Sequence, residues 1–219
     1  MAIVRLSLQK NPFLGLFFKA SDKLLLCPKS APHKVVSVMA DALGAEPVRL
    51  FVDQSPLVGI LTAMNSNGVV LPQFAEKEEQ EILKKKGLNV VRLACFAPGN
   101  NILANDRAAL VSPAVPTRDA RRIGECLGVE VFQDPIAGFS TVGSLNVVTN
   151  KGVFACNEAS EEELKQLEKL FKASAGKGTA NLGSPCNGLS LTANSKGAAV
   201  GELTTGFEIQ RLYQALSLE

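Results

Sequence analysis

The sequence predicts an α/β ring of five repeats in a single domain, and three observations predict it. A phrase of 13 residues occurs five times in the 219-residue chain. Each copy leads into an amphipathic helical pattern. A spare strand stands ahead of the first copy, and the last copy lacks one.

With its glycine as anchor, the phrase begins at Gly15, Gly59, Gly99, Gly143 and Gly188, at spacings of 44, 40, 44 and 45 residues. Six residues on stand Ser21, Asn65, Asn105, Thr149 and Asn194; nine on stand Leu24, Gly68, Ala108, Gly152 and Gly197. The copies close at Pro28, Pro72, Pro113, Cys156 and Gly201. In the second, apolar Leu57 to Met64 and Val69 to Pro72 flank Asn65-Ser66-Asn67-Gly68. Two such runs around Asn and Gly predict a β-hairpin. Asn and Gly suit the turn because both tolerate positive φ; where Leu24 or Ala108 replaces Gly, a different turn is expected. The side chains of Asn65, Asn105 and Asn194 are expected to bridge backbone groups around the axis.

Helices are predicted over 33–43, 76–86, 117–127, 160–172 and 204–216. In the fourth, Leu164, Leu167, Leu170 and Phe171 share one face, Glu161, Glu162, Lys165 and Lys169 the other. Ser160 and Glu163 form a capping box. In the fifth, Phe207, Leu212 and Leu216 point inward and Arg211 outward. Gly44, Gly87 and Gly128 follow three of the helices as C-terminal caps. A third strand comes next at 48–52, 90–93 and 129–132. The fifth unit ends without one, whereas Ile3-Val4-Arg5-Leu6-Ser7-Leu8 precedes the first unit and shares Val-Arg-Leu with two third strands. Strand 2–8 is therefore expected to complete the fifth unit and close the ring, with units of approximately 9–53, 54–94, 95–137, 138–182 and 183–219. Closure removes sheet edges; an open solenoid would need polar capping repeats.

About half the residues are apolar, net charge is +2 with the basic residues scattered, and there is no Trp. Nothing suggests a membrane span, a signal segment or a nucleic-acid footprint. Five cysteines, Cys27, Cys95, Cys126, Cys156 and Cys186, lack metal-ligand spacing and read as reduced thiols. The only histidine, His33, stands at a helix start and reads as a surface or capping residue. Gly176-Lys177-Gly178-Thr179 is not a phosphate loop, because Phe171 and Lys172 stand where that motif has its leading glycine. It reads as a Gly-rich connection between the fourth helix and the fifth hairpin. No nucleophile, base and orienting group can be assembled, and no metal or cofactor is expected.

The repeated phrases resemble the translation initiation factor 6 family. The strings that carry the likeness are Ala104-Asn105-Asp106 through Ala109-Leu110-Val111-Ser112-Pro113, Thr141-Val142-Gly143-Ser144, Val148-Thr149-Asn150-Lys151-Gly152, Gly176-Lys177-Gly178-Thr179-Ala180-Asn181, Ala193-Asn194-Ser195-Lys196-Gly197-Ala198 and Thr204-Thr205-Gly206. The likeness spans all five units and is nearest the archaeal branch, since the chain stops after its fifth helix. It implies the pentein fold: a five-fold pseudosymmetric α/β propeller of five ββαβ-like repeats, sheets inside and helices outside.

For function the resemblance implies binding rather than catalysis. Such a factor binds the large ribosomal subunit, mainly through an L14-type ribosomal protein near the sarcin–ricin loop of rRNA, and blocks joining of the small subunit. It implies a cytoplasmic monomer with no DNA or membrane partner. Near-neutral charge fits a partner that is mostly protein. In the family the anchor loops gather at the end of the ring that faces the ribosome. Here that end offers Phe13, Leu14, Ile60, Asn100, Asn101, Leu145, Cys186 and Asn187, apolar side chains rimmed by amides. The rival reading is a guanidine-modifying enzyme, for which the pentein fold is also known. Cys186 lies in the last unit as its nucleophile would, but the lone His33 lies in the first and no acid–His pair can be proposed. A small-molecule site in the central channel is allowed by the fold and supported by no residue.

Overall fold

The computed structural model describes residues 3–94 and 97–218; Cys95 and residue 2 of the closing strand lie outside them. Among the described residues the chain forms five three-stranded sheets. In the first unit Lys19–Ala20 and Leu24–Pro28 pair antiparallel, the helix His33–Leu43 follows, and Glu46–Leu50 returns parallel to Leu24–Pro28. A parallel return needs a crossover, which the helix supplies. The later helices are Lys77–Lys85, Thr117–Leu127, Glu161–Phe171 and Gly206–Ala215. The ring closes as expected: Ile3–Leu6 lies parallel to Ala198–Gly201, with Ile3 opposite Ala198 and Leu6 opposite Gly201. The strand is shorter than 3–8, because Leu8 already bridges Asn11 across a turn.

The middle strands Leu24–Pro28, Gly68–Pro72, Ala108–Val111, Gly152–Cys156 and Ala198–Gly201 are buried along their whole length. Both of their faces are covered, so they read as continuous apolar runs rather than alternating ones. The core consequently forms wedges between units. Leu26, Val48 and Leu50 of the first unit pack with Val58, Val69 and Leu71 of the second; Leu25 and Met39 of the first pack with Ala199 of the fifth. The architecture is the five-fold pseudosymmetric α/β propeller expected.

Four expectations need correction. The apolar run before each turn is not one strand. Its first half is a short helix, as at Val58–Leu61, and only Ala63–Met64 is extended. Second, the stretch read as a Gly-rich connection is the fourth unit's third strand, Ser174–Gly178, parallel to Gly152–Cys156. Third, the turns do not differ where glycine is missing, and none of their positions has positive φ. In all five the side-chain oxygen accepts from the amides two and three residues on: Asn105 Oδ1 from Arg107 and Ala108 at 2.9 and 3.0 Å, Ser21 Oγ from Lys23 and Leu24 at 3.3 and 3.2 Å. Glycine is required at 68 and 152 for another reason. A Cβ there would meet the carbonyl oxygens of Cys126 and Ala215, in the last turn of the next unit's helix. Fourth, Phe207 is 64% exposed rather than inward, and the Arg211 guanidinium lies 4.7 Å from its ring centre.

The turn asparagines do bridge the backbone. Asn65 Nδ2 donates to Asn105 O and Leu127 O, Asn105 Nδ2 to Thr149 O and Phe171 O, and Asn194 Nδ2 to Ser21 O and Leu43 O. Each stitches its own turn to the next unit's turn and helix end.

Candidate binding face at the glycine end of the ring

The anchor glycines form a closed circuit. The space a Cβ would take on Gly59 is filled by the carbonyl oxygen of Gly15. Gly99 stands in the same way to Gly59, Gly143 to Gly99, Gly188 to Gly143 and Gly15 to Gly188. Only glycine allows backbones this close. The short helices that carry them, Leu14–Leu16, Val58–Leu61, Pro98–Asn101, Val142–Leu145 and Asn187–Ser190, are thereby packed side by side around one end of the axis.

This circuit sorts the eight candidate residues. The position before each anchor points inward: Leu14, Val58, Pro98, Val142 and Asn187 are all buried. Leu14 and Asn187 are 0% exposed, so neither offers a side chain to a partner. Asn187 Nδ2 donates to Ala155 O and Gly178 O at 3.0 Å each, tying its loop to the fourth unit. Leu145 is also buried, in the core wedge between the third and fourth units. Phe13, Ile60, Asn100, Asn101 and Cys186 remain partly accessible. Asn101 is held by Nδ2 donating to Ala97 O at 2.9 Å.

The positions that reach the surface are two before the anchor in every unit and one after it in all but the fourth, where Ser144 is buried. The first set is Phe13, Leu57, Ala97, Thr141 and Cys186; the second is Leu16, Ile60, Asn100 and Leu189. The disc they form is lopsided, apolar over the first, second and fifth units and polar over the third and fourth.

Outside the disc runs a rim of tight turns that sequence reasoning missed. Isolated bridges join Leu8 to Asn11, Val52 to Ser55, Ile136 to Phe139 and Ala180 to Ser184. Gln9 and Lys10, Asp53 and Gln54, and Ala137 and Gly138 all have positive φ, as two-residue turns of this hand require. Three rim turns are pinned by a helix of the following unit. Glu163 accepts from Ser160 N to close its capping box and from Ala137 N of the rim turn, at 2.8 Å through one oxygen and 2.6 Å through the other. Glu79 does the same for Glu76 N and Asp53 N, and Glu208 for Thr205 N and Gly183 N. Burial pushes the carboxyls of Glu163 and Glu208 up, but the amides and hydroxyls around them outweigh it and hold both below the ordinary value. At Glu79 burial wins and the pKa is raised. On or beside the rim stand exposed apolar side chains: Phe74, Phe139, Leu182, Leu203 and Phe207. Their legible signal was an apolar residue in a loop or a helix's first turn, where no core was available.

Among the described residues no thiol or histidine is hydrogen-bonded to a carboxylate. His33 is exposed at the start of its helix, and Cys186 precedes the short helix of the fifth unit. Burial pushes the thiols of Cys27 and Cys126 up to about 11, and that of Cys156 up as well, so none is a ready nucleophile. Among the described residues the four cysteines are free, and no group of three or more His, Cys, Asp and Glu is placed to hold a metal ion. No described helix is long and apolar enough to cross a membrane.

Comparison with known proteins gives one consistent result. Residues 3–215 match the model of the eIF-6 family. The chain is 42% identical over 224 residues to translation initiation factor 6 of Pyrococcus horikoshii, covering 99% of each chain. It is 40% identical over 226 residues to that of Pyrococcus abyssi, covering both chains in full. To that of Picrophilus torridus it is 35% identical over 217 residues, covering 98% of this chain and all of the relative.

Proposed function

The chain belongs to the eIF-6 family, and from that membership we propose that it is a translation initiation factor. It binds the large ribosomal subunit and sterically prevents the small subunit from joining. The glycine end is the binding face, and an L14-type ribosomal protein near the sarcin–ricin loop is its principal partner. The factor acts as a cytoplasmic monomer, needs no catalytic step, and through the same contact serves large-subunit biogenesis. The observation that supports this best is the apolar disc of Phe13, Leu16, Leu57, Ile60 and Leu189. Its backbone is locked by the glycine circuit, so docking costs little ordering of the chain.

Co-sedimentation with isolated subunits tests it. The protein is expected to pellet with large subunits and not with small ones. Ile60→Glu combined with Cys186→Arg puts unpaired charge on the disc, and is expected to weaken large-subunit binding ~100-fold while circular dichroism stays unchanged. Lys165→Glu, on an exposed helix face, should change binding little. A parent that leaves large subunits bare would end the reading. A helix variant that fails beside a disc variant that binds would move the face elsewhere.

A further inference from the structure

On the ring axis, just inside the glycine circuit, lies a cavity of about 40 Å³. Its wall includes Phe18, Met64, Ile102, Asn146 and Thr192, and a single charged side chain, Lys19. The corresponding residues of the other units, four after each anchor, are Ala63, Leu103, Val147 and Thr192, all buried and uncharged. Lys19 is thus the one break in an uncharged column.

The protein supplies this ammonium with no counter-ion. Among the described residues Lys19 makes no ion pair or side-chain hydrogen bond, and no carboxylate lines its cavity. The acids that line the adjoining opening at the turns, Asp22 and Asp106, are committed. Asp22 accepts from Ser195 N and Asn150 Nδ2 at 2.8 and 2.9 Å. Asp106 accepts from Ser66 N, Ser66 Oγ and Asn150 Nδ2 at 2.7, 2.8 and 2.7 Å. Of the neutral donors, Thr192 Oγ1 gives its hydrogen to Phe18 O, whereas Asn146 gives one Nδ2 hydrogen to Val142 O and keeps the other. Lys19 keeps only part of its surface accessible, and a cation so shielded from water without a partner is costly and calls for a compensating charge.

We propose that the axial cavity is an anion site, in which the Lys19 ammonium holds a small inorganic anion of halide to nitrate size. The volume sets the upper limit. A water needs roughly 10–15 Å³ of such space, so the cavity takes an ion with one or two waters and excludes nucleotides and sugars. Burial alone pulls the Lys19 amine down to about 8; a bound anion favours the charged form and reverses that shift, so binding is coupled to proton uptake. The anion neutralises the one charged side chain that lines the cavity and so stabilises the closed ring, independently of the ribosome face.

The test uses bromide, which reports itself by anomalous scattering. The full chain is refolded and crystallised in sodium bromide. An anomalous peak beside Lys19 Nζ is expected, and none in Lys19→Met. In solution the parent should melt higher in bromide than in gluconate at equal ionic strength, since gluconate is too large to enter, and Lys19→Met should lose that difference. A cavity holding only water, or an equal bromide effect in both proteins, would overturn the proposal. The crystal of the parent decides the matter even if Lys19→Met does not fold.

Discussion

Replacing Gly59 with Ala places a methyl carbon where the carbonyl oxygens of Gly15 and Phe18 already sit. Backbone on both sides cannot give way without opening the circuit. Gly59→Ala is therefore expected to cost about 3 kcal/mol or more in chemical denaturation. Gly206 is the contrast: a Cβ there meets nothing within 4 Å, at the first position of a helix. Gly206→Ala should raise stability by about 0.5 kcal/mol, because it only restricts the unfolded chain. Equal penalties at both positions would mean that the close approach carries no energy. The same alignment of units shows what could be read from single residues. Leu14, Val58, Pro98 and Val142 mark the position before the anchor as an inward one, and Asn187 follows them although it is polar. The sequence reading places Leu14 and Asn187 on the binding face, because residue type alone does not show that their shared column is an inward one. Lys19 was not legible at all, because nothing in the sequence says that its strand lines an axis.

Among elements, the helices were the most legible and the fourth unit's third strand the least. Leu164, Leu167 and Phe171 announce their helix by period and are buried as a stripe. Ser-Ala-Gly-Lys-Gly has no large apolar or β-branched residue to announce a strand. It pairs because the ring leaves a vacant edge beside Gly152–Cys156, and its glycines fit where bulk cannot. A Cβ on Gly176 would meet Ala215, and one on Gly178 would meet the ring of Phe154. The pinning glutamates give this scale its pH dependence. Glu163 and Glu208 have folded pKa values below the ordinary one, so their stabilisation is present above the unfolded carboxylate value. It is lost as pH falls through the lowered one. Glu79 has the opposite sign: its raised pKa makes stability fall as pH rises from the ordinary value to the raised one. Melting temperatures of Glu163→Gln with Glu208→Gln should therefore lose part of the parent's decline below about pH 4.5. Glu79→Gln should not. An unchanged acid limb in the double variant would show that these carboxylates do not set it.

The whole molecule depends on a strand from one end of the chain completing a sheet made by the other. Ile3–Leu6 covers the edge of Ala198–Gly201, Ile3 and Leu8 are buried, and Ser7 Oγ donates to Glu202 Oε2 at 2.9 Å. The helix His33–Leu43 packs on that strand as well, so one short segment joins the first unit to the fifth. The shared Val-Arg-Leu string made this closure legible; the wedge-like core was not, because apolar content alone does not say which faces meet. Deleting residues 1–8 should uncover the Ala198–Gly201 edge, leave Leu25, Met39 and Ala199 without part of their cover, and lower the melting temperature of the ring as one cooperative unit. The exposed edge should also promote self-association. Calorimetry and sedimentation velocity measure the two effects, and adding a synthetic peptide of residues 1–8 should reverse both by restoring the parallel pair. A truncated ring that melts like the parent and stays monomeric would mean that the glycine circuit alone holds the first and fifth units together.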